Sequence, residues 1–220
     1  DAAVVAEMVE KGITTLTGTS MKKSFKMLFE KGDVVGIKVN PVGPPLMCSK
    51  PEVVLALIAW LEKGGIPRDR IVIWDRFADM LKEAGYTLER FPGVRVEALQ
   101  TMAEEGKSFR NDKGEHLSAA NFDRSAYYLA RGVVGKGVPG YKDAEFYLNQ
   151  HVVNDEYSYF GNLVTKRLTK IINVAVFKNA SQGISMLTKN LGYGAICNTG
   201  RLHAPLGFRV NTEVHAAPPV

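Results

Sequence analysis

The chain has 220 residues, 45% of them hydrophobic and 23% charged, and 28 Lys+Arg against 23 Asp+Glu give a formal charge of +5. That composition excludes wholesale disorder, and no apolar run approaches the ~18 residues that a membrane-spanning helix needs. Two cysteines cannot build a disulfide framework or a four-cysteine cluster, and the length suits a single α/β domain over residues 1–220 carrying one large insertion.

Ala2 to Val9 reads as a short helix, and Ser20 to Phe29 as a second with Met21, Phe25, Leu28 and Phe29 along one face. Gly32-Asp33 breaks the chain before Val34 to Asn40, whose nearly continuous apolar run fits a parallel strand covered on both faces. A loop from Pro41 to Pro45 follows. Ser49-Lys50-Pro51-Glu52 then has capping-box spacing, with proline tolerated in the first helical turn. The helix it opens carries Val53, Val54, Leu57, Ile58 and Leu61 on one stripe and stops at Gly64-Gly65. Ile71 to Asp75 is the next strand, and Phe77, Met80, Leu81 and Ala84 mark a further helix ended by Gly85. Strand, crossover helix and strand form a βαβ unit and predict a mostly parallel sheet.

From Gly106 to Asn162 the chain turns polar and turn-rich, and six of its eight tyrosines fall between Tyr127 and Tyr159. No clean period runs through this stretch, which reads as an insertion folding over the sheet. Two roles stay open for it: a lid or subunit contact, or a structural excursion with its own small cluster. Core alternation returns at Lys170 to Phe177, another strand, followed by loop and helix from Asn179 to Asn190, with Gly192 as the helix cap.

The charge is uneven. Between Tyr157 and Thr212 there is no Asp or Glu, while Lys166, Arg167, Lys170, Lys178, Lys189, Arg201 and Arg209 lie there. Such a stretch reads as ordinary solvated lysines paired in part with acids of the first half such as Asp75 and Glu97, or as the seat of an anionic ligand. No dense basic tract or nucleic-acid signature is present, so a nucleic-acid partner is not expected.

Ligands of open α/β sheets bind outside the carboxyl ends of the strands. Lys38 and Asn40 share a face near such an end, Asp75 closes a second strand, and Lys178 closes a third. A lysine in an apolar strand is costly to bury alone. Lys38 is therefore read either as the partner of Asp75 in an ion pair or as part of a cluster facing the crevice. The polar loop Asn179-Ala180-Ser181-Gln182-Gly183 could offer backbone N–H groups to an anion at the start of the next helix. Lys189, Asn190 and Arg201 join the candidate ligand-binding residues, and His203 with Lys178 the candidate catalytic ones. His116, His151 and His215 have no ligand-like spacing, and the zinc, Cys-x-x-Cys and hydrolase-elbow patterns are missing. No metal site is expected from this chain alone, and the cofactor is left open. Cys48 and Cys197 read as free thiols, with a bridge between them as the alternative.

The run from Gly32 to Pro41, then Pro51-Glu52-Val53-Val54 and Gly65, resembles the opening of family 362 of the domains of unknown function. Ile171-Ile172-Asn173-Val174, Lys178, Gly183-Ile184-Ser185, Lys189-Asn190-Leu191 and Arg201-Leu202-His203 resemble that family's lysine-rich second half. The resemblance covers roughly residues 20–90 and 155–207. It implies a Rossmann-like α/β fold, frequent export in bacteria or archaea and occasional association with ferredoxin-type iron–sulfur modules, but no settled activity. Ala180 stands where the family commonly carries a histidine, which implies altered chemistry there, and the family continues beyond its last signature, which implies a fragment or a shortened protein. Export to the periplasm or cell surface is the resulting expectation, with the cytoplasm as alternative. The functional expectation is a small anionic ligand bound at the strand ends, in a binder or an enzyme. The competing one is a non-catalytic subunit of an exported redox or cell-surface assembly, or a homo-oligomer, contacting its neighbours through 106–162.

Overall fold

The computed structural model describes residues 1–101, 115–129, 152–153, 157–180 and 183–199. In chain order the first elements are helices α1 (Ala2–Thr17) and α2 (Met21–Leu28), strand β1 (Val35–Val39), helix α3 (Pro51–Gly64), strand β2 (Ile71–Phe77) and helix α4 (Ala78–Glu83). Strands β3 (Arg95–Gln100), β4 (Phe122–Leu129), β5 (Tyr157–Gly161), β6 (Lys170–Val174), β7 (Lys178–Ala180) and β8 (Gly183–Ser185) follow, and helix α5 (Leu187–Gly194) comes last. β3, β2, β1 and β6 lie side by side in that order, all parallel, with Lys38 beside Trp74 on one flank and Asn173 on the other. The α/β expectation and its βαβ unit, β1–α3–β2, match this sheet.

Strand alternation sends two sets of side chains to two cores. One face carries Val35, Ile37, Val39, Ile71 and Ile73 against Val54, Leu57, Ile58, Trp60 and Leu61 of α3, with Phe25 and Phe29 behind them. α3 ends because Gly65, at φ 105°, adopts a left-handed cap that residues with a Cβ resist. The other face carries Val72, Trp74 and Leu99 against Phe122, Tyr159, Leu163 and Cys197. The antiparallel pair β4–β5 and a π-helical turn at Leu163–Arg167 supply that second layer. Cys48 belongs to the first core and Cys197 to the second, so the sheet lies between two buried cysteines that are not bridged to each other.

Several local expectations are corrected. α1 runs past Val9 to Thr17, since Gly12 is tolerated inside a helix at a cost of about 1 kcal/mol and Gly18, at φ 67°, supplies the stop. Leu28 lies at the exposed side of α2 rather than with Phe25. Ser49 does not cap α3, whose N-cap is Lys50. Its hydroxyl instead accepts the Asn40 N–H at 2.8 Å and donates to the Val174 carbonyl at 2.5 Å, satisfying backbone groups where β1 and β6 end. The strand expected over Lys170 to Phe177 stops at Val174, and Lys178 opens a separate antiparallel pair, β7–β8. Asn179 and Ala180 therefore lie in β7 and Gly183 in β8, so the expected loop into a helix is not what these residues form, and Ser181 and Gln182 lie outside the described residues. Gly192 is buried within α5, which continues to Gly194.

Of the expected insertion, residues 115–129, 152–153 and 157–162 are described, and they contain two strands that the sequence pattern did not reveal. Their pairing is irregular between Asp123 and Tyr127, which erases the alternation that would have announced them. β3 was also missed. At the sheet's edge its Arg95 and Glu97 stay partly exposed, so it lacks the apolar run of a central strand.

Candidate functional site

Because all four strands of the sheet run parallel, their carboxyl ends share one edge. From β1 the chain moves outward to β2 and β3 on one side, while β6 returns on the other. A crevice opens where the strand order reverses in this way. A cavity of about 440 Å³ lies at this edge, and Lys38, Asn40, Asp75, Lys178, Lys189 and Asn190 all line it. Six of the sequence-derived candidates are thus brought together from four separate segments. Phe77, Met80 and Val176 give the cavity apolar wall, and Tyr193 and Thr199 add hydroxyls. His203 and Arg201 lie outside the described residues, so their place relative to the cavity is open.

Lys38 and Asp75 form the ion pair anticipated as one of the two readings, and they form it in the cavity wall. Lys38 is 1% exposed. Its ammonium donates to Asp75 Oδ1, to the Val39 carbonyl at 2.7 Å and to Asn190 Oδ1 at 3.1 Å, and it lies 5.5 Å from the centre of the Trp74 ring. All three protons have acceptors, which is what makes a buried ammonium tolerable. Burial pulls the Lys38 pKa below its ordinary value, and the Asp75 carboxylate pulls in the opposite direction. The network continues outward: Asn190 donates to Asn173 Oδ1 at 2.8 Å, and Asn173 to the Leu187 carbonyl at 2.8 Å. These bonds dock α5 on β1 and β6. Gly194 is required there, because a Cβ would stand 2.7 Å from Lys38 Nζ.

Arg76 is the residue the sequence reading missed. It is 5% exposed, donates to Thr199 Oγ1 and, at 3.3 Å, to Gln100 Oε1, and stacks 4.7 Å from the centre of the Phe77 ring. Its Nη2 is buried with no hydrogen-bond partner among the described residues. Burial lowers its pKa to about 10, opposed by Cys197 and Asp75, so it remains a cation at neutral pH. The available signal was its position: a charged residue directly after Asp75 in a strand otherwise read as apolar. Thr199 reaches it because Asn198, at φ 54°, turns the chain and is itself held on all sides. Asn198 accepts the Val152 N–H at 2.8 Å and donates to the carbonyls of Val153 and Tyr157 at 2.9 and 2.8 Å.

The acid-poor second half divides into paired and unpaired cations. Arg167 binds Glu97 through two hydrogen bonds of 2.6 and 2.7 Å, and Lys166 stands 3.5 Å from Asp123. Lys178 and Lys189 have no carboxylate partner among the described residues, and Asp75, engaged by Lys38, is the one acid in the described cavity lining. Partial burial lowers the Lys178 pKa, and the Lys189 ammonium lowers it further, against an opposing effect of Cys48. Chemically the cavity offers a buried guanidinium whose Nη2 has no hydrogen-bond partner among the described residues, two ammonium groups and apolar wall. That suits a small anion with a short apolar body.

Among the described residues no group of three or more His, Cys, Asp or Glu side chains is placed to hold a metal ion, and no helix is long and apolar enough to cross a membrane. No family model, no curated protein and no solved structure matches the chain.

Proposed function

We propose that the chain binds a small anionic ligand in the cavity at the carboxyl ends of its sheet. Arg76, Lys178 and Lys189 supply the charge, Asn40 and Tyr193 border the ligand, and Lys38, Asp75 and Asn190 hold the frame. One observation carries this reading: the cavity gathers three cations that lack a carboxylate partner among the described residues, and one of them, Arg76, keeps a buried N–H unsatisfied among those residues. Leaving such a donor unmade costs about 1–3 kcal/mol, which an incoming oxyanion would recover. Titration calorimetry with inorganic phosphate, lactate and citrate tests it. Saturable binding of at least one, weakened by about 1–3 kcal/mol in Arg76→Met or Lys189→Met, is the expected result. No saturable binding of any of the three overturns it.

A Rossmann-like classification and membership of family 362 of the domains of unknown function belong to the same proposal, supported by the strand-order reversal at β1 and the quoted motifs. Export is proposed on that resemblance, and the amino-terminal sequence of the precursor tests it. A role as an assembly subunit draws support from Tyr127, which is 54% exposed beside Tyr157 and Tyr159. A Tyr127→Ser variant that lowers the mass of the assembly while leaving anion binding intact would favour that second reading.

A further inference from the structure

Resting on the reading of the cavity as an anion site, we propose that Lys178 is its nucleophile and forms an imine with a small 2-oxo acid. The cavity's lysines differ in what their ammonium groups can do. Lys38 has all three protons engaged, so it cannot lose one without breaking the Asp75 and Asn190 contacts. Lys189 is exposed on α5 and Arg76 stays charged at neutral pH. Lys178 is half-buried, has no carboxylate partner among the described residues, and stands beside Lys189 in the same lining. Withdrawal from water and a like-charged neighbour both favour the neutral amine, the form that attacks a carbonyl. Burial, and then the Lys189 ammonium, hold the Lys178 pKa below its ordinary value, against an opposing effect of Cys48.

The rest of the cavity selects the partner. A carboxylate bonded directly to a carbonyl lets Arg76 and Lys189 hold the charge while Lys178 meets the adjacent carbon, and Phe77, Met80 and Val176 face the short alkyl remainder. The neutral Nζ adds its lone pair to the carbonyl carbon, and the carbonyl π electrons move to oxygen, which takes up a proton. Nitrogen then gives up a proton, the hydroxyl is protonated and leaves as water, and a protonated C=N bond remains. The sum is ammonium plus ketone giving iminium plus water, with no oxidant or reductant consumed.

Pyruvate with sodium cyanoborohydride is the probe, read by intact mass and peptide mapping, with lactate calorimetry on the same protein as a separate measure of anion binding. The expected result is a reduced adduct concentrated on Lys178, on the order of tenfold above any exposed lysine. It should disappear in Lys178→Arg at an unchanged unfolding midpoint and fall steeply in Arg76→Met. Lactate binding without a Lys178 adduct overturns the imine and leaves the anion site standing. Neither binding nor adduct overturns both, and label spread evenly over lysines, unchanged in Arg76→Met, overturns the imine.

Discussion

The helix-covered face of the sheet and its carboxyl edge are built from the same strands and are held by different physics. On the covered face Val35, Ile37, Val39, Ile71 and Ile73 are fully buried against α3, and each contributes by its own area. At the edge Lys38, Asp75, Asn190 and Asn173 are held by one another, so each donor depends on an acceptor from another segment. Apolar burial is additive and forgiving. A buried polar chain is cooperative, and removing one member strands the next.

The largest expected effect breaks that chain at its charge. Asp75→Ala leaves Lys38 buried without a counter-ion and should cost about 3–5 kcal/mol in urea unfolding. The double variant Lys38→Met with Asp75→Leu should recover most of the loss. A single variant costing no more than a surface substitution would show that the edge is not a dependent network. On the covered face Leu61→Ala, fully buried, should cost about 2–4 kcal/mol by leaving a cavity, with phosphate or lactate titration unchanged. Altered ligand affinity in that variant would blur the distinction between the regions. Arg167→Ala should cost about 1 kcal/mol or less and lose its effect at high salt, because the Glu97 pair is solvent-screened.

The acid limb of the stability profile gives the finest test. Asp123 is held below the ordinary carboxylate range by the Ser125 hydroxyl, then by the Ser125 N–H and the Thr165 hydroxyl, with burial opposing and Lys166 assisting. A depressed folded-state pKa contributes stability above the unfolded value and loses it as pH falls toward the folded one. The gap between wild type and Asp123→Asn should therefore be widest at neutral pH and close below the ordinary aspartate range. Parallel acid-denaturation curves for the two would contradict the hydrogen-bonding geometry.

How much was legible in the sequence follows the same division. β1, β2 and β6 announced themselves because strands covered on both faces read as apolar runs, and α3 because its stripe repeats with helical period. β3, β4 and β5 did not, since an edge strand and an irregular pair carry no clean alternation. Ser49 had capping-box spacing, but the unpaired backbone groups of Asn40 and Val174 took its hydroxyl first. Arg76 was passed over because a strand pattern cannot say which way a terminal charge turns.

Local order thus determined that Lys38, Asn40 and Asp75 stand near the carboxyl ends of β1 and β2, and that Lys189 and Asn190 follow on a helix. Tertiary structure alone decided which charges are engaged and which remain open. Lys38 is neutralised by a residue 37 positions away and bonded to one 152 positions away. Arg76 is oriented by Thr199, 123 positions along the chain. Charge pairing depends on approach within a few ångströms, and that approach is set by packing on both faces of the sheet, which no local pattern encodes.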